Sequence, residues 1–301
     1  MIGSVRELVV PVRTPYRLDL TAAVLRRLSI NVVDTFDGTT YARLLGDPKA
    51  PTAFSVRQVA PYALAVRLEG PAAQALEPAQ LVARMLGSEV RLDAFEQGAT
   101  RFPWLARLVS GARGVRPPRY PSLWEATVNA IVFQQVSIHA AGAILRRVVE
   151  RYQPAVELSH AGLRSFPEPQ TLRSADPQEL RRLGLSVNKV TALAGVAAAI
   201  ERGELDEAEL ARLPTPELTE RLARARGIGP WTAAVIALRG FGRLDVFPMN
   251  DSGVAKSLRA IVGAEPIDVD AVLESLGTQR GMLYYHLLLG RLADRGEVEL
   301  A

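Results

Sequence analysis

Cysteine is absent from the 301 residues, which excludes disulfides and any iron–sulfur cluster held by four thiolates. Histidine is scarce: His139, His160 and His286 stand far apart, so no histidine-rich metal site is visible, and each reads as a surface or core residue rather than a ligand. Long apolar runs are missing as well. The longest, around 190–200, is too short to span a bilayer, and the opening MIGSVRELVVPVR has neither the apolar stretch nor the cleavage site of a signal peptide. These absences lead us to expect a soluble, cytoplasmic protein with no membrane partner. Lysine occurs only at Lys49, Lys189 and Lys256, so arginine carries nearly all of the positive charge. The formal net charge of +4 fits an anionic partner, but only modestly.

What is present is an apolar content of 48%, enough for a substantial core divided over two or three subdomains. The chain changes character near residue 100. Before it, Tyr41 to Leu45, Thr52 to Val59 and Ala63 to Leu68 are short extended runs bounded by Gly, Pro and Asp, and they predict antiparallel strands. Helical apolar spacing at Thr21 to Leu28 and Pro78 to Leu86 adds two helices, so the expected fold class is α+β with an antiparallel sheet at the N-terminal end. Residues 98–121, with Gly98, Gly111, Gly114 and Pro117-Pro118, look like a crossing segment around a short helix at Trp104 to Leu108. Everything beyond reads as helix. Ser122 to Glu125 forms a capping box that opens an apolar run. Ile138 to Tyr152 and Val190 to Arg202 follow, the latter preceded by a short turn where Ser186 and Lys189 are candidates for a phosphate contact; a plain interhelical turn fits equally.

The stretch Leu222 to Lys256 carries the most chemistry. Thr215 is a good N-cap and Pro216 suits the first helical position, so a helix runs to Arg226 and stops at Gly227. Gly227-Ile228-Gly229 forms a very short turn, and Pro230 starts a second helix through Trp231 to Leu238. Such a hairpin leaves backbone N–H groups unpaired at a positive helix end, where a phosphate is a natural partner. By itself a Gly-x-Gly turn between helices is also an ordinary structural hairpin. Downstream, Arg239-Gly240-Phe241-Gly242 ends the helix, Asp245 to Met249 is extended, and Asn250-Asp251 precedes a further helical segment from Gly253 to Ile261. An Asp in that place is commonly an N-cap, and a helix N-terminus also favours an ionised carboxylate.

In order and spacing, GIGPWTA, ALRG, DVF and the Asp before the next helix resemble the helix-hairpin-helix DNA glycosylase superfamily, and most closely its AlkA-like branch, 3-methyladenine DNA glycosylase II. The resemblance implies a mostly helical glycosylase core of two subdomains. One is formed by residues 99–122 and 244–301, the other by 123–243 with the hairpin motif at about 216–240, behind an N-terminal domain at 1–98. It implies that Asp251 is catalytic, supporting oxocarbenium character on the sugar or the attack of a water, while Asn250 supports the turn. It also implies DNA contacts at Gly227, Ile228, Gly229 and Thr232. A helix break near Gln135 follows from it too, where family members insert a side chain into the base stack; Gln135 replaces the usual apolar wedge. Bifunctional members carry a lysine where this chain has Trp231, so the amine nucleophile is missing and the implied chemistry is monofunctional hydrolysis to an abasic site. Missing cysteines exclude the iron–sulfur cluster of some relatives. No cofactor is implied beyond a monovalent cation, Na+ or K+, at the backbone of Gly227 and Gly229. The implied partner is double-stranded DNA containing alkylated bases, bound by a monomer, in a bacterial-type cytoplasm and at the nucleoid during repair.

The branch holds a cationic alkylated base on electron-rich rings. The pocket implied here is Trp231, Val235, Gln279, Val24 and Phe133, in which Val235, Gln279 and Val24 stand where aromatics are expected. Phe133, Phe247, Tyr284 and Tyr285 are candidates to compensate, and each also fits core packing. The expected lesions are 3-methyladenine, with 7-methylguanine and alkylated pyrimidines as further candidates, because alkylation at N3 or N7 makes a purine leave easily. Two other readings remain: a non-catalytic protein that binds damaged DNA through the same hairpin, and a glycosylase for other lesions.

Overall fold

The computed structural model describes residues 4–156, 162–263 and 267–300; His160 lies outside them. The chain begins with β1 (Val5–Pro11) and α1 (Leu18–Arg26), followed by β2 (Thr35–Phe36), β3 (Thr40–Leu45), β4 (Thr52–Ala60) and β5 (Ala63–Glu69). These strands form one antiparallel sheet in the order β1-β5-β4-β3-β2. The three expected strands are present, and β1 and β2 extend the sheet to either edge. Helix α1 starts at Leu18, before the expected Thr21, because the Gln58 side chain accepts a hydrogen bond from the Leu18 N–H and ties the first turn to β4.

Helices follow from there: α2 (Pro78–Leu86), α3 (Asp93–Ala99), α4 (Pro103–Gly111), α5 (Leu123–Val132), α6 (Ile138–Tyr152), α7 (Pro169–Arg173), α8 (Pro177–Arg182), α9 (Val187–Glu201) and α10 (Glu207–Arg212). The hairpin pair is α11 (Thr215–Ala223) and α12 (Pro230–Arg239). The C-terminal group is α13 (Ser252–Val262), α14 (Val269–Leu276), a 3-10 turn at Gly277–Gln279 and α15 (Met282–Ala293). Thr215 is the first residue of α11 rather than its cap, since its hydroxyl donates to Asp245 Oδ1 at 2.9 Å instead of closing the helix end.

Two apolar cores organise the molecule. One joins the sheet to α5, α6, α9 and α12; the other packs one face of α1 with α3, α4, α13, α14 and α15. Helix α3, absent from the sequence reading, lies against α14 and belongs with the C-terminal group, so the expected break at residue 98 falls within α3. No helix among the described residues is long and apolar enough to cross a membrane.

The sheet is fastened to the helical core by charge. Ser122 caps α5 by accepting from the Glu125 N–H at 3.2 Å, but the Glu125 carboxylate does not close the capping box. It accepts instead from Arg43 Nη2 of β3 at 2.7 Å, while Arg43 Nη1 donates to Asp34 Oδ1 at 2.9 Å and Tyr41 donates to the same oxygen at 2.6 Å. All four side chains are buried. One guanidinium serves two carboxylates, and burial pushes Glu125 up to about 7, with Arg43 pulling it down and Asp34 adding to the rise. A proton is therefore held by folded Glu125 at pH values where the unfolded carboxyl, near 4.5, has lost it. The stability this contributes is complete below about pH 4.5 and is lost as the pH rises through about 7. Glu125→Gln, which still accepts from Arg43, is expected to flatten that slope. Melting temperatures measured across this window should show the wild type losing up to about 3 kcal/mol relative to the variant.

Candidate nucleic-acid interface and active site

Helix α11 ends in a tight turn at Gly227, which adopts φ +90°; a Cβ there would stand 2.3 Å from the Ala192 Cβ of α9, so only glycine allows the hairpin to lie on that helix. The Ile228 N–H donates to the Ala225 carbonyl at 3.1 Å and the first backbone bond of α12 runs from the Ala233 N–H to the Gly229 carbonyl. The N–H groups of Gly229, Trp231 and Thr232 thus precede the helical ladder at the positive end of α12.

Asp251 is the N-cap of α13. Its Oδ1 accepts from the Val254 N–H at 2.9 Å, and its Oδ2 accepts from the Trp231 indole Nε1–H at 2.9 Å. Asn250, at φ +60°, turns the chain into this position. Gly253 lets a third group approach: a Cβ on it would lie 1.8 Å from Arg291 Nη1 and 3.0 Å from Asp251 Oδ1. Buried Tyr284 feels the charges of Asp251, Arg27, Arg239 and Arg291 together, and burial raises its phenol above the ordinary value. Trp231 and Arg291 thus approach the Asp251 carboxylate, whose charge also reaches the buried Tyr284.

The turn between α5 and α6 is the second feature. The helix breaks where expected, and Gln135 sits exposed at φ +54°, a left-handed conformation that projects it from the surface. Gln134, which the sequence reading passed over, fixes this turn to the hairpin: its Nε2 donates to the Gly227 carbonyl at 3.1 Å and to Thr232 Oγ1 at 2.7 Å. Lys189 fixes it from below. Its Nζ donates to the carbonyls of Val132 and Gln134, both at 2.9 Å, and burial lowers its affinity for the proton.

Several expected site residues lie elsewhere. Lys189 is only 9% exposed and is spent on the end of α5, so it is no phosphate ligand. Ser186 is exposed, with its hydroxyl accepting from the Lys189 N–H as the cap of α9. The side chains of Ile228 and Thr232 are buried, which leaves their part of the DNA surface to the backbone. Val24 is fully buried, Val235 is 2% exposed, and both belong to the cores, because α1 and α12 turn those faces inward. Gln279 accepts from the Phe95 N–H at 2.9 Å and donates to the Arg91 carbonyl, clamping α3 to the 3-10 turn. Of the expected pocket residues, Trp231, Phe133 and Gln279 keep partly open surfaces. Phe247, Tyr284 and Tyr285 are buried, and His286, pushed down to about 4 by burial, packs on Phe95. Of the two carbonyls expected to hold a cation, Gly227 accepts one hydrogen bond from the Gln134 amide and Gly229 one from the Ala233 N–H.

Gln134 had a sequence signal in its adjacency to Gln135. Arg27 and Arg291 had none, since arginines near helix ends ordinarily read as a solvated face.

The sequence profile of the HhH-GPD superfamily, base excision DNA repair proteins, matches residues 128–278. DNA-3-methyladenine glycosylase 1 of Schizosaccharomyces pombe is 29% identical over 184 residues, 61% of this chain and 75% of that protein. DNA-3-methyladenine glycosylase 2 of Escherichia coli is 34% identical over 149 residues, 49% of this chain and 51% of that protein, so the match spans about half the length of that relative. The solved 3-methyladenine DNA-glycosylase from Archaeoglobus fulgidus superposes with a TM-score of 0.76 over 95% of this chain and 98% of that one at 21% identity, a likeness of fold that takes in the N-terminal sheet. With the hairpin, the capped Asp251 and more than half of the helical core inside the matched segment, this chain belongs to the HhH-GPD superfamily of base excision DNA repair proteins.

Proposed function

We propose that this protein is a monofunctional DNA glycosylase that flips an alkylated base out of duplex DNA, hydrolyses its N-glycosidic bond and leaves an abasic site. The observation that carries this reading is the Asp251 carboxylate held at both oxygens by N–H donors, beside an indole rather than an amine. The relatives' names support alkylated bases as the substrate class.

The geometry suits the task. N–H groups at the start of α12 grip a phosphate, and Gln135 enters the base stack from a turn that Gln134 ties to the same hairpin and Lys189 to α9. As the C1′–N bond breaks, its electron pair leaves with the base and positive charge grows on the sugar. The Asp251 carboxylate stabilises that charge, and because its position is fixed before reaction, little reorganisation is required. A water then bonds to C1′ and yields its proton toward the carboxylate. With Trp231 in place of an amine, no Schiff base forms at that position and the strand is left uncut. A purely binding protein would have no use for a carboxylate beside a phosphate-gripping hairpin.

Asn is as good an N-cap as Asp, so Asp251→Asn should keep the fold and the DNA affinity while losing the charge. Base release from methylated duplex DNA is expected to fall on the order of a hundredfold or more. Unchanged release would remove Asp251 from the mechanism, and no release even by the wild type would favour the binding protein. Gln134→Ala severs the turn from the hairpin and is expected to slow base release about tenfold with little change in melting temperature. The fluorescence of a 2-aminopurine placed beside the lesion reports whether flipping is the step that suffers.

A further inference from the structure

A nucleotide flipped out of a duplex leaves a gap in the stack, and closing that gap favours a stiff apolar group over a flexible amide. Gln135 is the flexible amide. Its side chain is exposed and makes no hydrogen bond with any described residue, so its donors and its acceptor are all free. The next residue has the opposite character. Val136 keeps 40% of its surface open to solvent, and a β-branched side chain is stiff at χ1, so holding it in one place costs little entropy.

The exposure of Val136 has a local cause. It precedes Ser137, the cap of α6, and an apolar residue in that position ordinarily packs onto the fourth residue of the helix. Here that residue is Ala141, whose single methyl is already buried in the core, so Val136 is left open. The backbone on either side is nevertheless fixed. Gln134 donates to the Gly227 carbonyl and to Thr232 Oγ1, and its own carbonyl accepts from Lys189. On the far side Ser137 Oγ accepts from the Ala140 N–H at 3.2 Å.

The company Val136 keeps points to DNA. Among the described residues the large apolar side chains most open to solvent fall in two places. Val5, Val9, Val59 and Tyr62 lie on or beside the N-terminal sheet, while the others are Val136, Val187 and Met249. Val187 opens α9 two residues before Lys189, and Met249 stands two residues before Asp251. Single apolar residues scattered over a surface need no explanation, but these three are not scattered over the helical part; each adjoins a group tied to the hairpin or to Asp251.

We propose that Val136 is the residue that fills the gap in the stack, and that Gln135, relieved of that task, hydrogen-bonds the base left unpaired on the opposite strand. This deepens the base-flipping reading of the glycosylase, on which it rests. The turn enters DNA as a two-residue wedge. The isopropyl group covers the face of a neighbouring base, and the amide offers a donor and an acceptor to the edge of the orphan, so binding depends on which base stands opposite.

Duplexes carrying one tetrahydrofuran abasic analogue opposite each of the four bases test this without any bond being cleaved. By fluorescence anisotropy, Val136→Ser is expected to bind them about tenfold more weakly than the wild type. Its melting temperature and its affinity for the undamaged duplex should be unchanged, and Val136→Ile should bind as the wild type does. The wild type is expected to favour the best opposite base over the worst about fivefold, and Gln135→Ala to level that difference. Full affinity in Val136→Ser, an equal loss on undamaged duplex, or a loss shared by Val136→Ile would overturn the role of Val136. Equal wild-type affinity for all four duplexes would overturn that of Gln135. Base release from methylated DNA, measured separately, judges the glycosylase reading: release by the wild type alongside full affinity in Val136→Ser removes the wedge alone, and the reverse pair of results removes the glycosylase alone.

Discussion

Both oxygens of Asp251 are tied down, one by the first turn of its own helix and one by an indole on another, and the rest of the site is arranged around that constraint. Removing either tether frees the carboxylate to rotate. The Val254 N–H depends on α13 starting where it does, which in turn depends on Asn250 adopting a positive φ. The indole depends on the hairpin: Pro230 opens α12 at a fixed φ, Trp231 is the next residue, and the hairpin itself reaches α9 only because Gly227 has no Cβ. A cap and a reactive group are therefore not rival interpretations of Asp251. In the proposed mechanism one carboxylate does both, and the cap is what makes its position reproducible.

The same hairpin also serves as the anchor of the Gln135 turn. Gln134 reaches across from the end of α5 to the Gly227 carbonyl and the Thr232 hydroxyl, and Lys189 holds the carbonyl of Gln134 from α9. The proposed backbone grip and base-stack insertion thus share a few hydrogen bonds with the placement of the carboxylate. A displacement of the hairpin is felt at all three, which makes coordinated action a property of the packing.

Features decided by local chemistry were legible in the sequence. Strand alternation placed three strands of the sheet, Pro and Gly bounded the hairpin, and the Asp before a helix marked Asp251. The failures share a different cause. Val235 sits on a helix buried around nearly its whole circumference, so one turn of spacing from Trp231 did not place it on the same surface. Lys189 reads as a solvent-facing cation, and only the helix end 55 residues away in sequence reveals why it is buried. Gln279 was assigned to the pocket by register, whereas two backbone groups of the α3 region claim its amide. The Arg43 network is likewise invisible locally, because Asp34, Arg43 and Glu125 meet only when the sheet docks on α5.

Two kinds of buried arginine sit within this fold, and the difference between them is informative. Arg43 has a carboxylate on each side, and breaking such a buried pair costs on the order of 3–5 kcal/mol. Arg27 and Arg239 have none: Arg239 gives one hydrogen bond to the Val24 carbonyl and rests 4.9 Å from the Tyr120 ring centroid, and Arg27 has only Phe133. Ring faces and a carbonyl dipole offset part of the cost of burying a cation, but none of them carries a compensating charge. Arg27 and Arg239 act on the buried Tyr284 phenol together with the Asp251 carboxylate, which opposes them in sign.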